Sequence, residues 1–433
     1  MKKIYLTALS VLAFTAAGMA QSACNAGRYA TDVYSTVTTT SGVTYGSNTN
    51  YLGSNQTLTL DVYEAAGDTS VARPLIIWMH GGSFLSGTST DVDVASLSNH
   101  FAKKGYVCAS INYRLGMSQI DSSNAILAVI RGVQDLKAAV RFFRKDKATG
   151  NVYKVDTNNI FIAGSSAGAI AVLHAAYLKR ACQIQPYISN TNLAAMGGLE
   201  GTSGNPGYLS TVKGAISLCG ALAVYSWLEA GDVPLCSMHG TSDATVIYSR
   251  GVVNPGIPLM YLDGSRMIYA QAQAVGVANS FYTWPKANHV PYAGTSTAQL
   301  AYMDTTVNFV RDFLIHNMGC TNAALQPADA PFGTATLYNY NSPCSLGIEN
   351  FDAASQLQQV YPNPSNGDVT LVFANANTTH QVELFDLSGR IISSAKATDA
   401  SFLLKNNGIA PGVYFVKVTD DKGAYSAQKL VFY

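Results

Sequence analysis

Charge is scarce in this 433-residue chain: only 12% of residues are Asp, Glu, Lys or Arg, and 27 basic side chains nearly balance 26 acidic ones, for a formal net charge of +1. A protein that neutralises nucleic-acid phosphates or holds an anionic membrane gathers basic clusters, so this balance argues against either as the main partner. Long apolar runs are also missing beyond the N-terminus, where a membrane-spanning helix would need about 20 such residues. No Cys-x-x-Cys pair or Cys/His cluster suggests a metal site. Nothing in the sequence calls for an organic cofactor, and oligomeric state is not legible in it.

What is present begins with an export signal. Met1-Lys2-Lys3 is basic, Ile4 to Ala17 is mostly apolar, and Gly18-Met19-Ala20 sets small residues at the −3 and −1 positions. Residues 1–20 therefore read as a cleavable signal peptide with Gln21 as the mature start. Cys24 raises a lipoprotein reading, but Gln21-Ser22-Ala23 is a poor approach to a lipidated cysteine. Export permits disulfides, and seven cysteines leave at least one thiol unpaired within the chain. Cys108, inside the apolar run Tyr106 to Ile111, reads as a small core residue; Cys320 and Cys344 bracket a loop-like region and are the favoured pair.

The length favours two domains or more. Leu58, Leu60 and Val62 alternate as in a half-buried strand, whereas Pro74 to Met79 and Tyr106 to Asn112 are continuous runs suited to parallel strands covered on both faces. Helical patterns at 125–144, 167–177, 267–275 and 299–317 alternate with further strand runs at 160–163, 215–218, 234–238 and 280–284. Strands alternating with helices imply an α/β fold with a doubly wound, mostly parallel sheet over residues 21–320. Residues 321–357 carry Pro, Ala, Asn and Gly without periodicity and read as a linker. In residues 358–433 short alternating stretches separated by turn residues suggest a small all-β sandwich.

One pentapeptide concentrates the chemistry. Gly164-Ser165-Ser166-Ala167-Gly168 follows the apolar run Ile160 to Ala163 and opens a helical pattern. A G-x-S-x-G on a sharp strand-to-helix turn lifts a serine hydroxyl clear of the backbone, ready to attack a carbonyl. His80-Gly81-Gly82 stands upstream, and Asp243 and then His289 follow Ser166. Ser…Asp…His is the chain order of an α/β-hydrolase triad.

Residues 21 to about 320 resemble α/β-hydrolase esterases, particularly bacterial carboxylesterases and feruloyl or acetyl-xylan esterases. The matching segments are His80 to Phe84, Ile111-Asn112-Tyr113-Arg114-Leu115-Gly116, Gly164 to Gly168, His239-Gly240-Thr241-Ser242-Asp243 and Asn288-His289. Residues 358–433 resemble the C-terminal sorting domain of the type IX secretion system of Bacteroidota. Val360-Tyr361-Pro362-Asn363-Pro364, Leu384 to Arg390, Pro411-Gly412-Val413-Tyr414 and Gln428-Lys429-Leu430-Val431 carry that likeness. The two together imply an ester hydrolase that meets the type IX machinery and ends outside the cell or on its outer surface.

In that reading Ser166 is the nucleophile, His289 the base that takes and returns its proton, and Asp243 the acid that orients the imidazole. Asp263 is the rival acid, although Leu262-Asp263-Gly264-Ser265 reads more as a turn or helix start. The Ala167 N–H and the Gly81-Gly82-Ser83 loop are the expected oxyanion donors, with Ser83 standing where related enzymes often have a third glycine. His80 is expected to brace that loop, Arg114 and Asp135 to pair beneath the site, and Phe84 and Trp284 to line the acyl or alcohol pocket. His174 is expected to be a core or surface residue of the helix after Ser166. Gln183 to Thr211 is expected to form a short cap. The alternatives are a lipase or polyester hydrolase, a serine peptidase on the same fold, and a non-catalytic adhesion protein of esterase ancestry.

Overall fold

A computed structural model of the chain describes residues 27–320, 331, 333, 335–340, 342–344, 357–374, 378–387, 389–421 and 425–433. The signal peptide, Gln21, Cys24 and much of the linker lie outside these residues. Two compact units divide at residues 344 and 345.

In the first unit, β1 (Val37–Thr49) and β2 (Asn55–Ala65) pair as an antiparallel hairpin. The chain then alternates: β3 (Arg73–Met79), α1 (Val92–Lys103), β4 (Val107–Ile111), α2 (Ser122–Thr149), β5 (Val155–Ser165) and α3 (Ala167–Tyr177). Two short helices, α4 (Ala181–Ile184) and α5 (Asn190–Ala195), precede β6 (Gly214–Leu218). After β7 (Ala221–Leu222) come β8 (Leu235–Gly240), β9 (Arg250–Val252), β10 (Tyr261–Gly264), α6 (Ser265–Val275), β11 (Asn279–Trp284) and α7 (Thr297–Asn317). The eight-stranded sheet runs β1-β2-β4-β3-β5-β6-β8-β11, parallel from β4 onward. This is the α/β-hydrolase arrangement. β7, β10 and β9 form a small separate sheet.

The continuous apolar run of β3 is explained by burial on both sides. Successive strand residues point to opposite faces, so Leu75, Ile77 and Met79 join one core with α2 and α3, while Ile76 and Trp78 join the other with α1 and α7. Under the site, Arg114 and Asp135 form the expected buried pair at 2.8 Å. Gln134 Oε1, Ser203 Oγ and the Thr49 carbonyl also hydrogen-bond Arg114, so few of its donors lack an acceptor.

The cysteine pairing differs from the expectation. Cys344 bonds Cys182 at the start of α4, not Cys320. The described residues between 331 and 344 are therefore tied to the first unit. Tyr338 reinforces this: its hydroxyl donates to Asp263 at 2.8 Å and accepts from Arg250 at 2.6 Å. Linker-like composition hid this attachment, because one cystine and two tyrosines, Tyr338 and Tyr340, carry it. β1 was equally silent in sequence: it is an exposed edge strand, mostly polar, with few apolar positions to mark a period.

The second unit is all β. β12 (Leu357–Tyr361) and β13 (Val369–Phe373) are followed by β14 (His380–Phe385), β15 (Ile391–Ala397), β16 (Ser401–Leu404), β17 (Gly412–Thr419) and β18 (Tyr425–Phe432). One sheet runs β12-β13-β16 and the other β15-β14-β17-β18. Val369, Leu371 and Phe373 from one sheet share a core with Val382, Leu384, Val416 and Val418 from the other. That shared core makes the sandwich.

Candidate functional site

Ser166 sits between the end of β5 and the start of α3 with φ 54° and ψ −117°. A non-glycine residue held there costs on the order of 1–3 kcal/mol, so the surroundings must impose it. The Ser166 N–H donates to the Leu218 carbonyl on β6 at 2.9 Å, and its own carbonyl accepts from Ile170 at 3.0 Å. The flanking glycines are needed for space: a Cβ on Gly168 would lie 2.0 Å from the Met79 carbonyl oxygen, and one on Gly164 2.3 Å from the Gly168 backbone. Strand, helix and neighbouring strand meet there backbone to backbone.

The structure brings Ser166, His289 and Asp243 into one hydrogen-bonded chain. His289, in the loop after β11, sets Nε2 2.7 Å from Ser166 Oγ and Nδ1 2.6 Å from Asp243 Oδ2. Asp243 follows β8, and its Oδ1 accepts from the N–H groups of Thr245 and Val246, each at 2.9 Å. Burial alone would push the Asp243 carboxyl up; hydrogen bonds from His239 and His289 outweigh it and hold the group well below the usual carboxylate range. Ionised Asp243 keeps the proton on His289 Nδ1, which leaves the Nε2 lone pair for the serine hydroxyl.

His239 is a member of the site whose role the sequence did not disclose. It is fully buried, with Nε2 2.8 Å from the Val246 carbonyl and 3.2 Å from Asp243 Oδ2, and Nδ1 2.8 Å from Ser265 Oγ. The carbonyl can only accept, so Nε2 carries the proton and also faces the carboxylate. Its motif, His239-Gly240-Thr241-Ser242-Asp243, was the available signal. Asp263 is engaged elsewhere, by Arg250, Tyr338 and the Tyr225 N–H.

The glycine loop passes directly against the serine: a Cβ on Gly81 would stand 3.2 Å from Ser166 Cβ. Gly82, Ser83 and Phe84 follow with φ of 98°, 57° and 60°. This left-handed run explains why glycine suits the position of Ser83. The Gly82 carbonyl accepts from Leu85 and Ser86, and the Tyr113 hydroxyl donates to the carbonyls of His80 and Gly81. His80 is stacked on Tyr113 with ring centroids 4.5 Å apart, and its Nδ1 donates to the Gly81 carbonyl. Burial pushes the His80 pKa down. Ala167 occupies the first position of α3, where N–H groups lack intrahelical acceptors.

Two spaces meet at Ser166 and Ser83. One is an apolar cavity walled by Phe84, Met117, Val129, Ile170, Trp227 and Met260 among others. The other is an open cleft bordered by Asp91, Asp93, Asn254 and His289. Ile184 and Tyr187 bring the short cap over the apolar cavity. Trp284 lines neither space. It lies at the end of β11 in the opposite core, against Tyr292 and Tyr302, because its register position faces α7. Trp227 supplies the indole wall instead.

Among the described residues, one group has metal-ligand proximity: the donor atoms of Cys219, Asp243 and His289 lie within 4.8 Å of one another. Burial, and then the charge of Asp243, push the Cys219 thiol up, so it stays protonated, and the other two groups already bond each other. No helix among the described residues is long and apolar enough to cross a membrane.

Comparison with known proteins gives two family matches. The BD-FAE family model matches residues 60–197, and the model described as a secretion system C-terminal sorting domain matches residues 359–432. Carboxylesterase 3B of Mus musculus is 34% identical over 126 residues, covering 28% of this chain and 20% of the relative. Cholinesterase 2 of Branchiostoma lanceolatum is 31% identical over 103 residues, covering 24% and 29%. The chain thus spans less than a third of these relatives' length. Among solved structures, Thermogutta terrifontis esterase 2 phosphorylated by paraoxon is 20% identical with a TM-score of 0.49, covering 64% of this chain and 94% of that one.

Proposed function

We propose that this chain, with its esterase-family segment and its sorting-domain tail, is an exported serine hydrolase of carboxylic esters. The observation that carries the reading is the hydrogen-bonded chain from Ser166 through His289 to Asp243, opening at the mouth of an apolar cavity. Ser166 Oγ attacks the ester carbonyl while His289 Nε2 takes its proton, and ionised Asp243 stabilises the imidazolium that results. The developing oxyanion meets the Ala167 N–H and the N–H groups of the Gly81-Gly82-Ser83 loop, a kind of donor commonly contributing on the order of 10²–10³ in rate. His289 returns the proton to the departing alkoxide, leaving an acyl-Ser166 ester. Water activated by the same imidazole then releases the acid.

The division of space supports esters that join an apolar acyl group to a polar alcohol. The acyl group occupies the apolar cavity, and the alcohol stays in the open cleft beside Asp91 and Asn254. Feruloyl or acetyl esters of polysaccharides fit that division. Residues 359–432 address the chain to the type IX machinery, which delivers it to the cell surface or the medium.

The test is an ester panel on the purified full chain: short and long p-nitrophenyl esters, methyl ferulate and acetylated xylan, with Ser166→Ala as the control. Hydrolysis lost in the variant supports the reading; folded protein that cleaves none of them refutes it. Removing residues 358–433 should retain the protein in the periplasm, as read by cell fractionation.

A further inference from the structure

The face of α3 that forms one wall of the apolar cavity carries Ala167, Ile170 and His174, spaced as one helical stripe. Histidine is out of place on such a wall. His174 is 4% exposed, and its Nδ1 lies 2.8 Å from the Ile170 carbonyl one turn back. A carbonyl only accepts, so Nδ1 carries the proton, and Nε2 on the far edge of the ring is an acceptor. Among the described residues no hydrogen bond reaches Nε2, and Trp227 lies edge-on to the ring at 5.6 Å. His174 lines the cavity, and once an apolar group displaces solvent there, an acceptor left without a donor costs about 1–3 kcal/mol. Burial also lowers the pKa of His174 to about 4, so the ring stays neutral in ordinary solution.

We infer that His174 is a specificity-determining residue: its Nε2 accepts a hydrogen bond from a hydroxyl at the far end of the acyl group. This rests on the esterase reading of Ser166. His174 follows Ala167 by seven positions, a rise of about 10 Å between their Cα atoms along the helix. An extended hydroxycinnamoyl group holds its phenol oxygen about 8 Å from the carbonyl carbon, and a hydrogen bond of about 2.8 Å completes the span. Acyl groups ending in a para-hydroxyl on an aromatic ring are therefore selected over those ending in hydrogen or methoxy. Tyr187, also on the wall, both donates and accepts, so its hydroxyl does not impose that selection.

The experiment compares methyl p-coumarate, methyl cinnamate and methyl 4-methoxycinnamate on the full chain and on His174→Leu and His174→Gln, with thermal melts to establish folding. The wild type should favour p-coumarate over the other two by about tenfold or more in kcat/KM, chiefly through KM. His174→Leu should bring the ratio near one. His174→Gln, which keeps an acceptor, should restore part of it and carries the comparison if the leucine variant does not fold. A preference that survives in the variants, or a wild type that cleaves p-nitrophenyl acetate without any preference, overturns the assignment. Should no ester be cleaved, calorimetric binding of the same three esters decides. A p-coumarate preference lost in His174→Leu upholds the subsite while the esterase reading fails; equal binding overturns the subsite as well.

Discussion

Replacing Asp243 by Asn tests the site most sharply, because the structure dictates how the amide must sit. Oδ1 of Asp243 accepts from two backbone N–H groups, those of Thr245 and Val246. An asparagine can satisfy them only with its carbonyl oxygen, which turns its NH₂ toward His289 Nδ1. Nδ1 must then accept, so the proton moves to Nε2, and the imidazole meets Ser166 with a donor where the reaction needs a base. His239 Nε2–H would also face that NH₂ and keep the Val246 carbonyl in place of the carboxylate. A wrong tautomer of this kind costs on the order of 10⁴ in kcat in the chymotrypsin triad, or about 5.5 kcal/mol of transition-state stabilisation. The same order is expected here. The assay is kcat on p-nitrophenyl acetate at neutral pH, with near-UV circular dichroism to establish folding. Asp263→Asn serves as the comparison, since Asp263 bonds Arg250 and Tyr338 and should affect stability more than the rate per folded molecule. A folded Asp243→Asn enzyme that loses less than tenfold, or an Asp263→Asn enzyme that loses more, would refute the reasoning.

Other consequences can be measured directly. His174 is buried with a pKa near 4 against an ordinary 6.5, so the unfolded chain binds its proton more readily. The resulting stability, roughly 3 kcal/mol, is present above pH 6.5 and lost as pH falls toward 4; His174→Leu should flatten that part of a Tm–pH curve. Below it, Asp243 contributes in the same direction, its stabilisation disappearing as pH drops through and beneath the usual carboxylate range. Breaking Cys182–Cys344 with paired serines releases a cross-link between residues 162 apart, worth up to about 5 kcal/mol by loop entropy; because Cys320 is also disulfide-bonded, reductant should lower the Tm of the wild type by more than that of the variant. Asp135→Ala leaves Arg114 buried without its carboxylate and should cost about 3–5 kcal/mol, read by urea unfolding. Gly168→Ala should prevent soluble expression, because its methyl has no room beside the Met79 carbonyl.

Much of this architecture can be read from the chain because local pattern and local structure coincide. A five-residue apolar run such as Leu75 to Met79 has few ways to be buried on both faces, and Ala167 to Tyr177 forms a helix along the whole length that its apolar pattern marks. The G-x-S-x-G turn, the glycine loop and the order of Asp243 and His289 are likewise written in short motifs. Partnerships between distant segments are not. Cys344 found Cys182 rather than Cys320, Trp284 faced the α7 core while Trp227 took the cavity wall, and Tyr338 bound Asp263 from within the supposed linker. His174 looked like any helix histidine until its ring stood in an apolar wall with one nitrogen occupied. Sequence by itself determined the principal strands and helices of the parallel sheet, the turn that exposes Ser166 and the sorting-domain tail, since each depends on neighbours a few residues away. Only the tertiary structure decided which carboxylate reaches His289, which aromatic lines the cavity and where the acceptor of His174 points, because those depend on distances that exist only once the sheet has assembled.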